Sequence, residues 1–216
     1  MLTLSGQRDD IPRQLPLWLA SEMATPGQPA TSDIDEMFYV LRALQQLEAL
    51  NLLTPEVTLG LVDFIQRSRD ADGGYAGMPG QPPDTEHTYC AICALSLLGH
   101  PLTDTECRGT AAWIRSRFDT PSGLVALTAS DDTPSLAASY WGFRASELLD
   151  ATVRPDRLGP DRLGTDRLGT DRLGAAVESL AKPDGGYGTQ AHATLWESYC
   201  ALQVLSKLSA LRGGGQ

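Results

Sequence analysis

Apolar residues in this chain recur at helical spacing in one stretch after another, with clusters of Gly, Pro and acidic residues between. Over 35–50, Phe38, Val40, Leu41, Leu44 and Leu47 return every three or four positions, which marks one face of a helix. Ser32-Asp33 stands just before it as a cap. A second stripe, Val57, Leu61, Phe64 and Ile65, runs through 55–67, where Thr54 suits the cap and Pro55 the first helical position. The pattern changes at 87–98, where nearly every residue is apolar or small, as in a helix covered on several sides. The alternation then repeats. An amphipathic helix over 104–118 carries Trp113 and Ile114, a mainly apolar one follows at 134–149, and a further outer and inner pair is predicted at 175–181 and 194–211. A short helix over 12–23, with Leu15, Leu17, Trp18 and Leu19, precedes them all, ended by a Pro/Gly-rich break. The expected fold is all-α, with about four helix pairs in two layers.

The connections repeat as well. Asp72-Gly73-Gly74-Tyr75-Ala76-Gly77, an acid-bearing loop and the helix from His87 to Gly99 return as Ser122-Gly123-Leu124 with Ser139-Tyr140-Trp141-Gly142-Phe143. They return again as Asp184-Gly185-Gly186-Tyr187-Gly188 with Ser198-Tyr199-Cys200-Ala201-Leu202. Self-similarity at roughly 50 residues marks an array built from one helix-turn-helix unit, and its period serves an open solenoid or a closed α/α ring alike. One segment breaks the pattern: Pro155-Asp156-Arg157-Leu158-Gly159 and three further five-residue copies through Gly174. A Gly in every copy works against a helical face, so 154–174 is expected to be a flexible insert in a single domain of 1–216.

Charge narrows the partners. A net charge of −10 and no basic stripe argue against nucleic acid or an anionic membrane surface. No apolar run has the length a bilayer span requires, and the first ten residues are polar rather than leader-like, so a cytoplasmic location is expected. Four cysteines, Cys90 and Cys93 three apart on one helix face, suit a reducing compartment and serve as small buried hydrophobes or as a metal or redox pair. Neither a Gly-rich phosphate loop nor a Gly-x-Ser-x-Gly elbow occurs, which removes support for nucleotide-driven and serine-hydrolase chemistry.

The segment from Gly73 to Gly99 resembles the repeat of protein prenyltransferase β subunits and, more loosely, that of squalene-hopene type terpene cyclases. The resemblance implies an α/α toroid around an apolar cavity that holds an isoprenoid substrate. With about four helix pairs the ring is short, which implies a partner subunit or a homo-oligomer. In the prenyltransferase family an Asp-x-Cys pair and the His of an Asp-x-x-His-Thr segment hold zinc, which activates a substrate thiolate toward a prenyl diphosphate. Asp84-Thr85-Glu86-His87-Thr88 reproduces the second segment, and Asp33-Ile34-Asp35 stands where the first would be, with Asp35 in place of the thiolate. The resemblance therefore implies Asp33, Asp35 and His87 as metal ligands, with Asp84 beside them. An oxygen-rich set of this kind suits zinc or a harder ion such as magnesium. Asp33-Ile34-Asp35-Glu36 also resembles the acidic motif with which class II cyclases protonate an alkene. Three crowded carboxyls do not all ionise cheaply, and Asp35, the middle one, would carry the proton. That mechanism needs aromatic faces to stabilise the forming cation, for which Tyr89, Tyr140, Trp141, Trp196 and Tyr199 are the candidates near the starts of inner helices. Helix capping by the acids and core packing by the rings account for the same residues without chemistry. A third reading is a toroid remnant that serves as a non-catalytic binding subunit. Asp131-Asp132-Thr133 and His192 at other helix mouths, and Arg42, Arg115, Arg117 and Arg144 as diphosphate clamps, complete the candidates.

Overall fold

The computed structural model describes residues 14–23, 33–119, 121–128, 134–153, 167–183, 185–189 and 193–213. Eight helices make up most of them: α1 (Leu15–Glu22), α2 (Ile34–Gln46), α3 (Pro55–Arg67), α4 (Thr85–Leu97), α5 (Asp104–Ser116), α6 (Leu136–Val153), α7 (Arg167–Ser179) and α8 (Leu195–Gly213). A 3₁₀ turn over Leu50–Leu52 is the one other helical piece among them. Caps explain most of the starts. Asp33 accepts from the Glu36 amide at α2, Thr54 from that of Val57 at α3, and Asp84 from that of His87 at α4. Thr103 and Glu106 form a reciprocal capping box at α5. Ser32, the other expected cap, lies outside the described residues.

Three boundaries differ from the sequence expectation by four residues or more, one of them the end of α6, which runs on to Val153 rather than 149. α2 ends at Gln46 rather than near residue 50, because Glu48 takes a left-handed conformation (φ 55°) that no helix continues through. α7 begins at Arg167 rather than near residue 175, so the last of the five-residue repeats is helical after all. Leu173 falls in register with Val177 and Leu180, and an apolar stripe against α8 outweighs the intrinsic cost of the glycines. The copies within 154–166 lie outside the described residues.

The inner layer is a row. α2 packs on α4, α4 on α6 and α6 on α8, while α3, α5 and α7 back α4, α6 and α8 from outside and α1 rests on α2. α4 has neighbours on both flanks and behind, which is why it buries eight residues from Thr85 to Leu95 and shows no single apolar stripe. Each unit closes in the same way. A residue just past the outer helix bridges to the turn position, as Arg69 does to Tyr75, Phe118 to Val125 and Ala181 to Tyr187. The turn amide then donates to a hydroxyl on the inner helix: Tyr75 to Thr88, Val125 to Ser139, Tyr187 to Ser198, each at 2.9 Å. Gly73 (φ 103°) lies so near the Gly109–Thr110 backbone that a β-carbon would sit 2.7 Å from Gly109 C, so the turn presses directly on α5. This stacking lines up the starts of the inner helices, and the site is built there.

Candidate functional site

Asp33 and Asp35 belong to the mouth of α2 and Asp84 and His87 to that of α4, two helices that are neighbours in the inner row. The turn loop ties the mouths together through the Ile34 amide, which donates to Gly77 O at 3.1 Å. One ligand atom each from Asp33, Asp35 and His87 comes within 4.8 Å of the others, and all three side chains are half-buried. Asp84 holds His87 twice. Its Oδ1 accepts the His87 amide at 2.9 Å and its Oδ2 lies 2.5 Å from Nδ1. With Nδ1–H committed to a carboxylate, the lone pair of the ring sits on Nε2, the arrangement in which a histidine ligates metals. Gly77 is the floor under that nitrogen, since a β-carbon there would lie 2.9 Å from Nε2.

The charges are mutually dependent. Burial by itself would lower the His87 pKa, but the hydrogen bond to Asp84 and the charges of Asp84, Asp35 and Asp33 outweigh it and raise the value. Asp33 is pushed above the usual carboxylate range by burial, then by its hydrogen bond and repulsion with Asp35. Glu36, the third acid of the motif, is exposed; both Asp33 and Asp35 accept its backbone amide, at 3.2 and 2.8 Å.

The five predicted rings form one continuous network with Phe38 and Tyr39. Phe38 meets Tyr89 edge-on, Tyr89 stacks on Trp141 at 5.1 Å, and Trp141 and Tyr140 both touch Trp196, which stacks on Tyr199 at 5.6 Å. Tyr89, Tyr140 and Trp141 are buried, whereas Tyr39, Trp196 and Tyr199 are about half exposed on the open side of the row. Of the candidate clamps, Arg115 and Arg117 lie on the outer layer with Ala111, Ser116 and Trp113. Arg144 pairs with Glu147 and, together with Arg42, bears on Cys93 further down the inner helices. Cys90 and Cys93 are free thiols outside the ligand group; burial pushes Cys93 up to about 11. Asp131, Asp132, Thr133 and His192 lie outside the described residues. One residue escaped the sequence reading: Gly77 was readable only as the last glycine of the turn.

A family model described as the prenyltransferase alpha-alpha toroid domain matches residues 22–213. Protein farnesyltransferase subunit beta of Pisum sativum is 53% identical over 38 residues, 18% of this chain and 9% of that subunit. The same subunit of Arabidopsis thaliana is 34% identical over 71 residues, 32% of this chain and 15% of that subunit. Candida albicans protein geranylgeranyltransferase-I, solved in complex with GGPP, aligns with a TM-score of 0.63 and 18% identity over 85% of this chain and 50% of that one. The chain thus spans half of the solved relative and a smaller share of the two plant subunits, and the structural likeness is one of fold. No helix among the described residues is long and apolar enough to cross a membrane. With the family model covering the inner row from end to end, the chain belongs to the prenyltransferase alpha-alpha toroid domain family.

Proposed function

We propose that the chain is an isoprenoid-handling enzyme of the prenyl-transfer type, in which a divalent cation at Asp33, Asp35 and His87 faces a prenyl diphosphate whose hydrocarbon lies along the aromatic network. The observation that carries it is the convergence of the three ligand atoms within 4.8 Å at the head of that network. The donor set fits such an ion. Ligands about 2.0–2.2 Å from a tetrahedral metal stand roughly 3.4 Å apart, which side-chain rotation of about 1 Å would reach. Bound there, zinc or magnesium supplies charge neutralisation for a diphosphate or acidifies a coordinated acceptor. Asp84 fixes the His87 tautomer, Gly77 leaves room beside Nε2, and the Tyr89–Trp141 stack keeps water from the hydrocarbon. A partner subunit or a second copy would cover the open side of the row.

A second reading, protonation of an alkene followed by cyclisation, is favoured by one observation: Asp33 and Asp35 are hydrogen-bonded carboxyls, and Asp33 holds its proton above the usual range. Metal analysis with a turnover assay decides. The first reading expects stoichiometric zinc or magnesium that His87→Ala loses while keeping its helical content, and product from a prenyl diphosphate. Metal-free protein that converts linear polyenes and loses that activity with Asp35→Asn or Asp33→Asn supports cyclisation. Protein inert in both assays that co-purifies with a second subunit is a binding module and ends both readings.

A further inference from the structure

The caps set the four inner helices in a common register. The side chains of Asp33, Asp84, Ser135 and Thr194 each accept the amide three residues on, and each cap carbonyl accepts the amide after that. Counted from the cap, the first, fifth and eighth positions share one helix face. On α4 these are Thr85, Tyr89 and Ile92, on α6 Leu136, Tyr140 and Phe143, and none is more than 9% exposed. Ile34, Phe38 and Leu41 on α2 are buried as well. On α8 the same face is Leu195, Tyr199 and Leu202, which are 94%, 46% and 57% exposed.

What α8 lacks is a following unit. α6 flanks it on the preceding side and α7 backs it, as α2 and α3 do for α4. α4 and α6 have the next inner helix besides, and its rings meet this face: Tyr89 stacks on Trp141, and Tyr140 meets Tyr199 edge-on at 5.9 Å. The next turn also closes over the mouth of α4, where Leu127 O accepts the Thr85 amide at 3.0 Å. The ring contacts of Tyr199 among the described residues are with Tyr140 and with Trp196 of its own helix, so nothing meets it from the following side.

The other end of the row is apolar too. Leu17 and Trp18 on α1 are more than half exposed, and Leu52 in the adjoining turn is partly so. Apart from Met78, the exposed large hydrophobic residues among those described belong to the start of the row, α1 to α3 with that turn, or to α8; the helices from α4 to α7 show none. The aligned part of this chain covers half of the solved toroid chain, so two such lengths match one ring. Each copy carries a net charge of −10, which leaves apolar contact as the way for two copies to meet.

We propose that α8 docks on a second copy of this chain, with its face of Leu195, Tyr199 and Leu202 against the α1 end around Leu17 and Trp18. A two-fold axis generates that junction twice, α8 of each copy on α1 of the other, so the assembly closes at two chains instead of growing into a filament. The aromatic network, half-exposed at Trp196 and Tyr199 in one chain, is covered at that end in the pair. The inference rests on the fold alone and not on the prenyl-transfer reading.

Sedimentation equilibrium of the purified chain from about 1 to 100 µM tests it. Wild type is expected to pass reversibly from one chain mass to two. Leu202→Gln at one end and Trp18→Gln at the other should each weaken the pair at least about tenfold, since either change strikes both junctions. Leu59→Gln, at a comparably exposed leucine of α3, should change nothing. Circular dichroism checks that all three variants keep their helical content. The decisive arm mixes Leu202→Gln with Trp18→Gln in equal amounts. A mixed pair has one junction with both surfaces native, so the mixture should associate more tightly than either variant alone. Wild type that stays single at about 100 µM, or masses that grow past two chains, overturns the proposal. So does an equal loss in Leu59→Gln, a mixture no tighter than its components, or an undiminished pair in either end variant; two α8 helices meeting face to face would leave Trp18→Gln undiminished. Single chains that make product from a prenyl diphosphate end this inference and leave the enzymatic reading. A two-chain particle inert toward prenyl diphosphates and polyenes does the reverse.

Discussion

At the scale of single residues, the hydroxyl that each inner helix lends to the turn before it is the detail most open to measurement. Thr88 and Tyr75 are both fully buried, so Thr88→Val would leave the Tyr75 amide without an acceptor or water. The expected loss is about 1–3 kcal/mol in urea unfolding. Ser198→Ala at the equivalent place should lose under about 1 kcal/mol, since Ser198 and Tyr187 are only half-buried and water can replace the hydroxyl. The α5 capping box gives a pH signature. Hydrogen bonds from the Thr103 hydroxyl and amide hold the Glu106 carboxyl below its ordinary value, so its contribution is present above about pH 4.5 and disappears as pH falls through the lower folded value. Glu106→Gln, which keeps a capping-box side chain, should cost a few tenths of a kcal/mol near pH 7, a difference that shrinks as pH falls below about 4.5, read from paired urea melts. Among the site residues, Asp33, Asp35, Asp84 and His87 were legible because a cap position and a family motif both mark them. That the Asp33 carboxyl lies above the usual range was not, because this depends on its burial and on its hydrogen bond with Asp35.

At the scale of elements, the turn glycines separate two costs that look alike in the sequence. Gly73 and Gly80 both have positive φ, 103° and 85°, yet a β-carbon meets the Gly109 backbone at the first and nothing within 4 Å at the second. Gly80→Ala should therefore lose only about 1 kcal/mol, the left-handed strain alone. Gly73→Ala adds a clash that can be relieved only by moving α5 off the turn, and should lose more than about 3 kcal/mol or fail to fold. Thermal melts of the two variants side by side check the contrast; equal losses would mean that the turn does not press on α5. Helix starts were legible wherever a Thr or Asp cap precedes a stripe, as at α3 and α5. The start of α7 was not, because five-residue copies with glycine read as helix-breaking until Leu173 is seen in line with Val177 on the face that α8 covers. The end of α2 was hidden for the opposite reason, since the apolar run continues through Leu47 to Leu50 while Glu48 turns the chain.

At the scale of the whole molecule, the pattern of two alternating layers was written in the periodicity, but the exposed faces were not, because they depend on how each pair sits on the next. In an array each unit is stabilised by its neighbours, so a helix flanked on both sides should open less often than one at an end. α4 lies between α2 and α6 with α3 behind it, whereas α1 packs mainly on α2 and the Leu50–Leu52 turn, and α8 leaves Leu195, Trp196, Tyr199 and Leu202 partly or largely exposed. Hydrogen exchange on the dilute chain should find amides of α4 opening only with global unfolding and those of α1 and α8 exchanging at least tenfold faster, about 1.4 kcal/mol less protected. Raising the concentration, or adding a second subunit, should slow α8 before it slows α4 if the open side of the row is where a partner binds. Uniform protection from α1 to α8 at the lowest concentration would instead mean that the half-exposed rings are already enclosed. The aromatic network would then be a sealed core with no entry for an isoprenoid.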